Sequence, residues 1–313
     1  MIITKSISED RAIAACLITD KPVKKTPYQV KGVFIRNFSS YDIVPMLNGK
    51  YRDRYLYPRV QVKVINEKIF ITGVGHGVEP VLQLTDNIKQ LDFGNIKFDI
   101  LEKRVDENKN IFDFKDETVN YQFLTSWAAL NKNSWKIFKN MESEDKVNFL
   151  NKLLEKNLAF ISNELKLTPP KKFLSMIKVN SIEPDSIDDN KWGAFNGVFK
   201  TNFNLPSFIG LGNGITRGYG TLLNADSCQI INKDDLGLQH SDENKFFESD
   251  LDEIQPDDFN KLNLKQDKKS HRLKRKKRKR SKNFNNGNYI DNQKKDSEPN
   301  FNTELYHQKQ HKV

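Results

Sequence analysis

The sequence predicts an α+β fold made of two consecutive sheet-and-helix layers, followed by a charged tail. Three observations lead to this prediction. Apolar and polar residues alternate over residues 57–65 and 68–74, which is the pattern of a hairpin. An apolar stripe at helical spacing covers residues 147–165. Large apolar side chains become sparse after residue 225. Paired strands with helices between them are typical of the α+β class.

The first predicted layer begins with an apolar run at residues 13–19 (IAACLIT), which indicates a buried strand before a proline-containing loop. Residues 32–38 (GVFIRNF) fit either a helix or a strand. The hairpin follows, with a turn at residues 66–67. One of its faces is apolar, and the other carries Arg59 and Lys63. Near-helical spacing over residues 78–91 predicts a helix.

Strands are predicted next at residues 96–100 and 111–114, around the polar turn VDENKN, within the first predicted domain. Apolar residues over 121–139 and 147–165 predict two helices, and Ser143 is the expected N-cap of the second. Strands are predicted again at residues 173–179 and 192–201. The predicted domains are therefore residues 1–115, residues 116–225 and a disordered tail at residues 226–313.

Charge and cysteine content restrict the class of protein. The formal net charge is +10, and residues 268–280 alone hold ten basic side chains and no acidic one. Residues 1–225 carry 32 basic and 25 acidic side chains, so the predicted folded part is itself basic. Cys16 and Cys228 cannot make a disulfide framework or a metal cluster, which indicates a reducing compartment. No stretch is apolar enough to span a bilayer, and we expect a cytoplasmic protein.

The most informative stretch is glycine-rich. Gly210, Gly212, Gly214, Gly218 and Gly220 fall within eleven residues, with Arg217 among them. Glycines let a ligand approach the backbone, whose N–H groups can bind phosphate. A turn between two strands is the plainer interpretation. The spacing matches neither the P-loop nor the dinucleotide-binding fingerprint.

The spacing does match G-hydrophobic-G, five residues, G-hydrophobic-G: GLG, NGITR, GYG. In this arrangement, and in the segment WGAFNGVF before it, the chain resembles the CRISPR-associated endoribonucleases that cut repeat precursor RNA. These enzymes are members of the RAMP superfamily. Three further segments resemble the N-terminal domain of the archaeal-type "b" subgroup of these endoribonucleases: KGVFIRNF, YPRVQVKVI and ITGVGHG. The resemblance covers residues 1–225 in order.

The resemblance implies two tandem ferredoxin-like (RRM-like) domains with a C-terminal glycine-rich loop. It also implies cleavage of CRISPR repeat RNA without a metal or another cofactor. The ribose 2′-OH would attack the adjacent phosphate and leave a 2′,3′-cyclic phosphate. Such a reaction needs a base, an acid and positive charge on the phosphorane.

The chain departs from the family at the expected base. Histidine normally lies just before the hairpin, but residues 41–54 (YDIVPMLNGKYRDR) contain none. The catalytic candidates are therefore His76, Tyr51 and Lys50, with Tyr55 as a further choice. The residues expected to bind RNA are two arginines of this stretch, the two cations of the hairpin face and the glycine-rich loop: Arg52, Arg54, Arg59, Lys63, Gly210, Gly212, Gly214, Arg217, Gly218 and Gly220.

Two alternatives stay open at this stage. The missing histidine also fits a catalytically inactive subunit that binds repeat or guide RNA within a CRISPR complex. The run at residues 274–280 also fits a nuclear localisation signal on a nucleic-acid-binding protein. Repeat RNA is the expected partner, and the sequence leaves open both a homodimer and contacts with other CRISPR-associated proteins. No membrane partner is expected.

Overall fold

The computed structural model describes residues 10–109, 111–168 and 170–224, together with Leu236 and Asp252–Ile254. These residues all belong to one compact unit. The predicted tail therefore lies mostly outside the described residues. The described strands are β1 (Ala12–Thr19), β2 (Val60–Ile65), β3 (Lys68–Val74), β4 (Gln90–Asp92), β5 (Lys97–Asn108), β6 (Asp113–Phe123), β7 (Trp127–Leu130), β8 (Phe173–Val179), β9 (Asp185–Ile187), β10 (Trp192–Phe195), β11 (Gly197–Asn204), β12 (Leu222–Asn224) and β13 (Asp252–Ile254). The described α-helices are α1 (Pro27–Asn37), α2 (Ile43–Leu47), α3 (Val78–Asn87), α4 (Lys132–Phe138) and α5 (Ser143–Glu164).

The first half of the chain has the ferredoxin-like order of elements. Its sheet has the order β2-β3-β1-β5-β4, with antiparallel neighbours. Helices α1 and α3 pack on one face of this sheet around a shared apolar core. Helix α1 begins with a capping box, in which Thr26 accepts from the backbone N–H of Gln29, and with Pro27 in its first turn.

The second half repeats this topology with one change. Its sheet has the order β12-β6-β11-β8-β13, and α5 packs against it. A ferredoxin-like repeat has its second helix before its last strand. Here the connection from β11 to β12 is the glycine-rich stretch, with a single 3₁₀ turn at Ile215–Arg217. The fold prediction of two tandem ferredoxin-like domains is confirmed, and the glycine-rich stretch takes the place of a helix.

The predicted helix over residues 121–139 was wrong in its first part. Residues 113–123 form β6 and residues 127–130 form β7, so only Lys132–Phe138 is helical. Tyr121 stacks on Phe199 of the neighbouring strand at 5.0 Å between ring centroids. Phe123, Trp127 and Leu130 are spaced as on a helix, but Tyr121 and Phe123 are spaced as on a strand, and pairing with β11 and β12 decides for the strand.

Three smaller predictions also change. The polar stretch VDENKN is not a turn throughout, because β5 continues to Asn108 by pairing with β1. The predicted strand 192–201 is broken at Asn196, which separates β10 and β11 into different sheets. Ser143 is the first residue of α5, and Glu142 occupies the cap position. None of these changes moves the predicted hairpin, whose strands are β2 and β3.

The polar face of the hairpin packs against the second half of the chain. Tyr57, Ala12 and Val74 belong to the apolar core of the second half. A second cluster joins Phe70 of β3 to Phe208 and Leu223. The first sheet is therefore covered by its helices on one face and by the second half on the other. Leu236 lies in this second cluster, and Asp252–Ile254 pair with β8.

Candidate functional site

The glycine-rich segment, residues 209–222, is a closed loop between β11 and β12. The backbone N–H of Leu211 donates to the Gly220 carbonyl at 2.9 Å, and that of Leu222 donates to the Ile209 carbonyl at 2.9 Å. Inside this closure, the backbone N–H of Gly220 donates to Ser126, just before β7. These backbone hydrogen bonds therefore hold the segment in one conformation, with the 3₁₀ turn at its tip.

Glycine is required in this segment by close packing. At Gly220 a Cβ atom would lie 1.9 Å from the Leu211 carbonyl oxygen, and the backbone has a φ of +65°. At Gly218 it would lie 2.9 Å from a ring carbon of Pro27, so the segment touches the start of α1. The N–H groups of Gly210, Gly218 and Gly220 all donate to protein acceptors. In this structure the glycines shape the loop, and phosphate binding by Gly210, Gly212, Gly214, Gly218 and Gly220 stays a prediction.

Arg217 is held at the tip of the glycine-rich segment. Its guanidinium forms an ion pair with Asp188, and its Cζ lies 5.6 Å from the ring centroid of Trp192. Burial opposes ionisation of Asp188, but the hydrogen bond and the charge of Arg217 outweigh it and lower the pKa of this carboxyl group. Arg217 is therefore a half-buried cation whose orientation is set by neighbouring side chains.

Lys31 of α1 lies next to this arginine. Burial of its amine, with added repulsion from Arg52 and then Arg217, lowers the pKa of Lys31 to about 8. Its Nζ also lies 5.3 Å from the ring centroid of Tyr28. The charges of Arg52 and Arg217, from two other parts of the chain, thus both act on Lys31, and such a group of cations suits a phosphate.

The stretch Tyr51–Tyr55 carries the remaining predicted side chains on this side of the molecule. The rings of Tyr51 and Tyr55 meet edge to face at 6.3 Å, and Tyr55 lies 5.6 Å from the His76 ring. The guanidinium of Arg54 lies over Tyr51 at 5.8 Å and over Tyr55 at 5.2 Å. Arg52 and Arg54 are exposed. This stretch therefore contacts His76 through Tyr55 and adjoins Lys31 through Arg52.

The two cations of the hairpin face are not exposed. Arg59 is 4% exposed and Lys63 is 0% exposed, because the second half of the chain covers this face. Arg59 donates to the backbone carbonyl of Glu164 at 2.7 Å, and Lys63 donates to that of Ile215 at 3.3 Å. Direct RNA contact by Arg59 and Lys63 is a prediction that their burial in this structure does not support. Lys50 is exposed on the loop after α2.

Glu164 also fixes the end of the stretch that carries the tyrosines. Its carboxylate accepts the backbone N–H groups of Leu56 at 3.0 Å and Tyr57 at 3.2 Å. Sequence reasoning identified neither Glu164 nor Lys31 and Asp188. Each is an ordinary charged residue in a helix or a turn, and only its position in the folded chain marks it.

Two further features bear on possible partners: membrane-spanning helices and groups of metal-binding side chains. No described helix is long and apolar enough to span a membrane. Among the residues that the structure describes, no three His, Cys, Asp or Glu side chains are grouped so as to hold a metal ion.

Comparison with known proteins identifies similar chains. Family models of the Cas6b N-terminal and C-terminal domains match residues 12–111 and 113–225. A crystal structure of Cas6b matches with a TM-score of 0.57 at 26% identity, over 68% of this chain and 100% of that one. The crystal structure of a CRISPR RNA processing endoribonuclease, Cas6b, gives 0.51 at 24% identity, over 69% and 99%. An uncharacterised protein of Methanocaldococcus jannaschii is 24% identical over 144 residues, which are 45% of this chain and 95% of that protein.

Proposed function

The chain belongs to the Cas6b family, and from this premise we propose that it is an endoribonuclease that processes CRISPR repeat RNA. The observation that carries the proposal is the convergence of Lys31, Arg52 and Arg217. These cations come from α1, from the stretch before the hairpin and from the glycine-rich segment. Negative charge develops on the phosphate oxygens during cleavage. A phosphodiester bound among these three cations would have that charge stabilised.

We propose a division of labour among these residues. An amine with a pKa of about 8 is partly neutral near neutral pH, so Lys31 can accept the proton of the 2′-OH. Arg52 and Arg217 then stabilise the phosphorane as the 2′-oxygen attacks phosphorus and the 5′-oxygen leaves. The products are a 2′,3′-cyclic phosphate and a 5′-hydroxyl. Tyr51, Lys50 and His76 are the candidates for the acid that protonates the leaving oxygen.

Incubation of the full chain with repeat RNA tests this proposal. The reaction contains EDTA, and a matched RNA carries a single 2′-deoxy nucleotide at the cleavage position. Cleavage of the first RNA to a cyclic phosphate, with no cleavage of the second, is the expected result. Cleavage of the deoxy RNA at the same bond, or a strict need for a divalent metal, would show that another mechanism operates.

Variants test the assigned roles. General-base catalysis contributes about 10²- to 10⁴-fold, so Lys31→Ala should lower the single-turnover rate by that factor. Lys24→Ala is the matched control, because Lys24 is an exposed lysine on the loop before α1. Equal rates for both variants would remove Lys31 from the mechanism.

A second candidate function is RNA binding without cleavage. Two observations favour it: residues 41–54 contain no histidine, and Arg217 is already paired with Asp188. A chain with this function would bind repeat RNA with an affinity that falls steeply as salt rises. It would leave the RNA intact at every pH from 6 to 9, whereas the endoribonuclease would not.

The binding partner and the cellular compartment that we propose follow from the same function. We propose that CRISPR repeat RNA is its partner and that it acts in the cytoplasm. Association with other CRISPR-associated proteins and homodimer formation remain open predictions. Light scattering of the purified chain, with and without repeat RNA, distinguishes a monomer from a dimer.

A further inference from the structure

A row of polar side chains on the hairpin ends on the backbone of the glycine-rich segment. Gln61 and Lys63 lie two residues apart in β2, so they share one face of the strand, and Tyr57 lies in the bend just before it. All three are buried, with exposures of 0%, 1% and 0%. The functions described above do not use these side chains, although burial of a lysine is unfavourable.

Each side chain of this row has a backbone partner in the segment. The Tyr57 hydroxyl donates to the Gly210 carbonyl at 2.9 Å, and burial raises the pKa of Tyr57, which keeps it a donor. The side-chain oxygen of Gln61 accepts the Gly210 N–H at 2.8 Å. Lys63 Nζ donates to the Ile215 carbonyl at 3.3 Å. The row therefore binds the segment at its entry and at its 3₁₀ turn.

Packing makes this contact specific. A Cβ atom at Gly210 would lie 2.8 Å from Lys63 Nζ and 3.1 Å from the Gln61 side-chain oxygen. The same Cβ would lie 2.6 Å from Ile215. A side chain at this position would therefore displace Lys63 and Gln61 from their backbone partners. Ile215 begins the turn that ends at Arg217, so a bond to Ile215 acts two residues from the guanidinium.

We propose that Gln61 and Lys63 are positioning residues: they hold the glycine-rich segment so that Arg217 stays beside Lys31 and Arg52. The proposal rests on the proposed endoribonuclease function for its effect on cleavage. The contact itself is independent of that function. Lys63 thus serves RNA cleavage through the backbone of the segment, and not through a phosphate contact of its own.

The test uses the full chain with Lys63→Met, Gln61→Leu and a matched control, Tyr121→Phe. The control also removes buried contacts between a side chain and the backbone: the Tyr121 hydroxyl donates to the Leu205 carbonyl and accepts the Leu205 N–H, upstream of the segment. Hydrogen–deuterium exchange of the peptide covering residues 209–222 is the first measurement. A lost hydrogen bond should speed exchange there about 3- to 10-fold in the first two variants, but not in the control.

Cleavage of repeat RNA is the second measurement, made with and without Arg217→Ala. If the row acts by placing Arg217, Lys63→Met should lower the rate about tenfold in the wild-type background and have almost no effect on top of Arg217→Ala. Rates that fall by the same factor in both backgrounds would overturn the positioning role. If Lys63→Met does not fold, Gln61→Leu decides in the same way.

The two measurements separate this inference from the proposed function. Unchanged exchange in both row variants would overturn the inference even if the wild-type chain cleaves RNA. A wild-type chain that cuts no RNA would end the proposed function. In that case, RNA binding replaces cleavage as the second measurement. Faster exchange in the row variants, together with weaker RNA binding that the added Arg217→Ala does not weaken further, would still support the positioning of Arg217.

Discussion

Removal of the buried amine of Lys63 should change how stability depends on pH. Burial alone lowers the pKa of Lys63 from the ordinary lysine value of 10.5 to about 7. Between these two pH values the unfolded chain binds a proton that the folded chain releases. The free energy of unfolding therefore rises with pH in this window, by up to about 1.4 kcal/mol per pH unit from this one group.

The size of the effect follows from those two pKa values. Between pH 7.5 and 9.5 the wild-type chain should gain about 2 to 3 kcal/mol relative to Lys63→Met, whose side chain does not titrate. At pH 7.5 the variant avoids a deprotonation cost of about 4 kcal/mol, and it loses a hydrogen bond worth about 1 kcal/mol. We therefore expect Lys63→Met to be the more stable protein at pH 7.5, although its cleavage is slower.

Urea unfolding followed by tryptophan fluorescence at pH 7.5, 8.5 and 9.5 measures this difference. Lys24→Met is the matched control, since it removes an exposed lysine. The control should follow the wild-type pH dependence. If wild type, Lys63→Met and the control change in parallel over this range, the amine of Lys63 is not in the buried environment that the structure shows, and the reasoning fails.

The pH–rate profile of kcat/KM should be half-maximal near pH 8, the value to which the pKa of Lys31 is lowered, because a base acts in its neutral form. A rate that does not rise between pH 7 and 9 would contradict the assignment of Lys31 as the base. Asp188→Asn removes the ion-pair partner of Arg217. It should weaken repeat RNA binding about 3- to 10-fold if Asp188 orients the arginine, whereas tighter binding in a filter assay would show that Asp188 competes with phosphate. Gly220→Ala should cost more than about 2 kcal/mol in urea unfolding because its Cβ would meet the Leu211 carbonyl. Gly32→Ala, in open space within α1, should instead be neutral or stabilising by up to about 1 kcal/mol; equal losses for the two variants would contradict the packing argument.

Local patterns predicted much of the fold. The hairpin, helix α5 and the strand Ala12–Thr19 follow from alternation, helical spacing and a short apolar run. The prediction failed at residues 121–130, where the apolar spacing suited both a helix and a strand. Pairing with neighbouring strands decides such cases, and those partners lie far away in the sequence.

The candidate site was predictable only in part. Arg217 stands within the glycine-rich motif and Arg52 is a cation of the stretch before the hairpin, so both were identified from the sequence. Lys31 was not identified, because its lowered pKa comes from burial and from two arginines that fold next to it. Arg59 and Lys63 were predicted to contact RNA, yet they lie buried between the hairpin and the second half.

By itself, the sequence determined the α+β class and the place of the glycine-rich segment, because these depend on the order and spacing of neighbouring residues. Its motifs gave the family resemblance, and the resemblance implied the tandem ferredoxin-like domains. Only the tertiary structure decided which cations share a site and which face of the hairpin is covered. Alternation along a strand shows that two faces differ, but it does not show what packs on the polar one. Here the glycine-rich segment packs on it, and a row that looked like an RNA-binding surface holds the loop that carries Arg217.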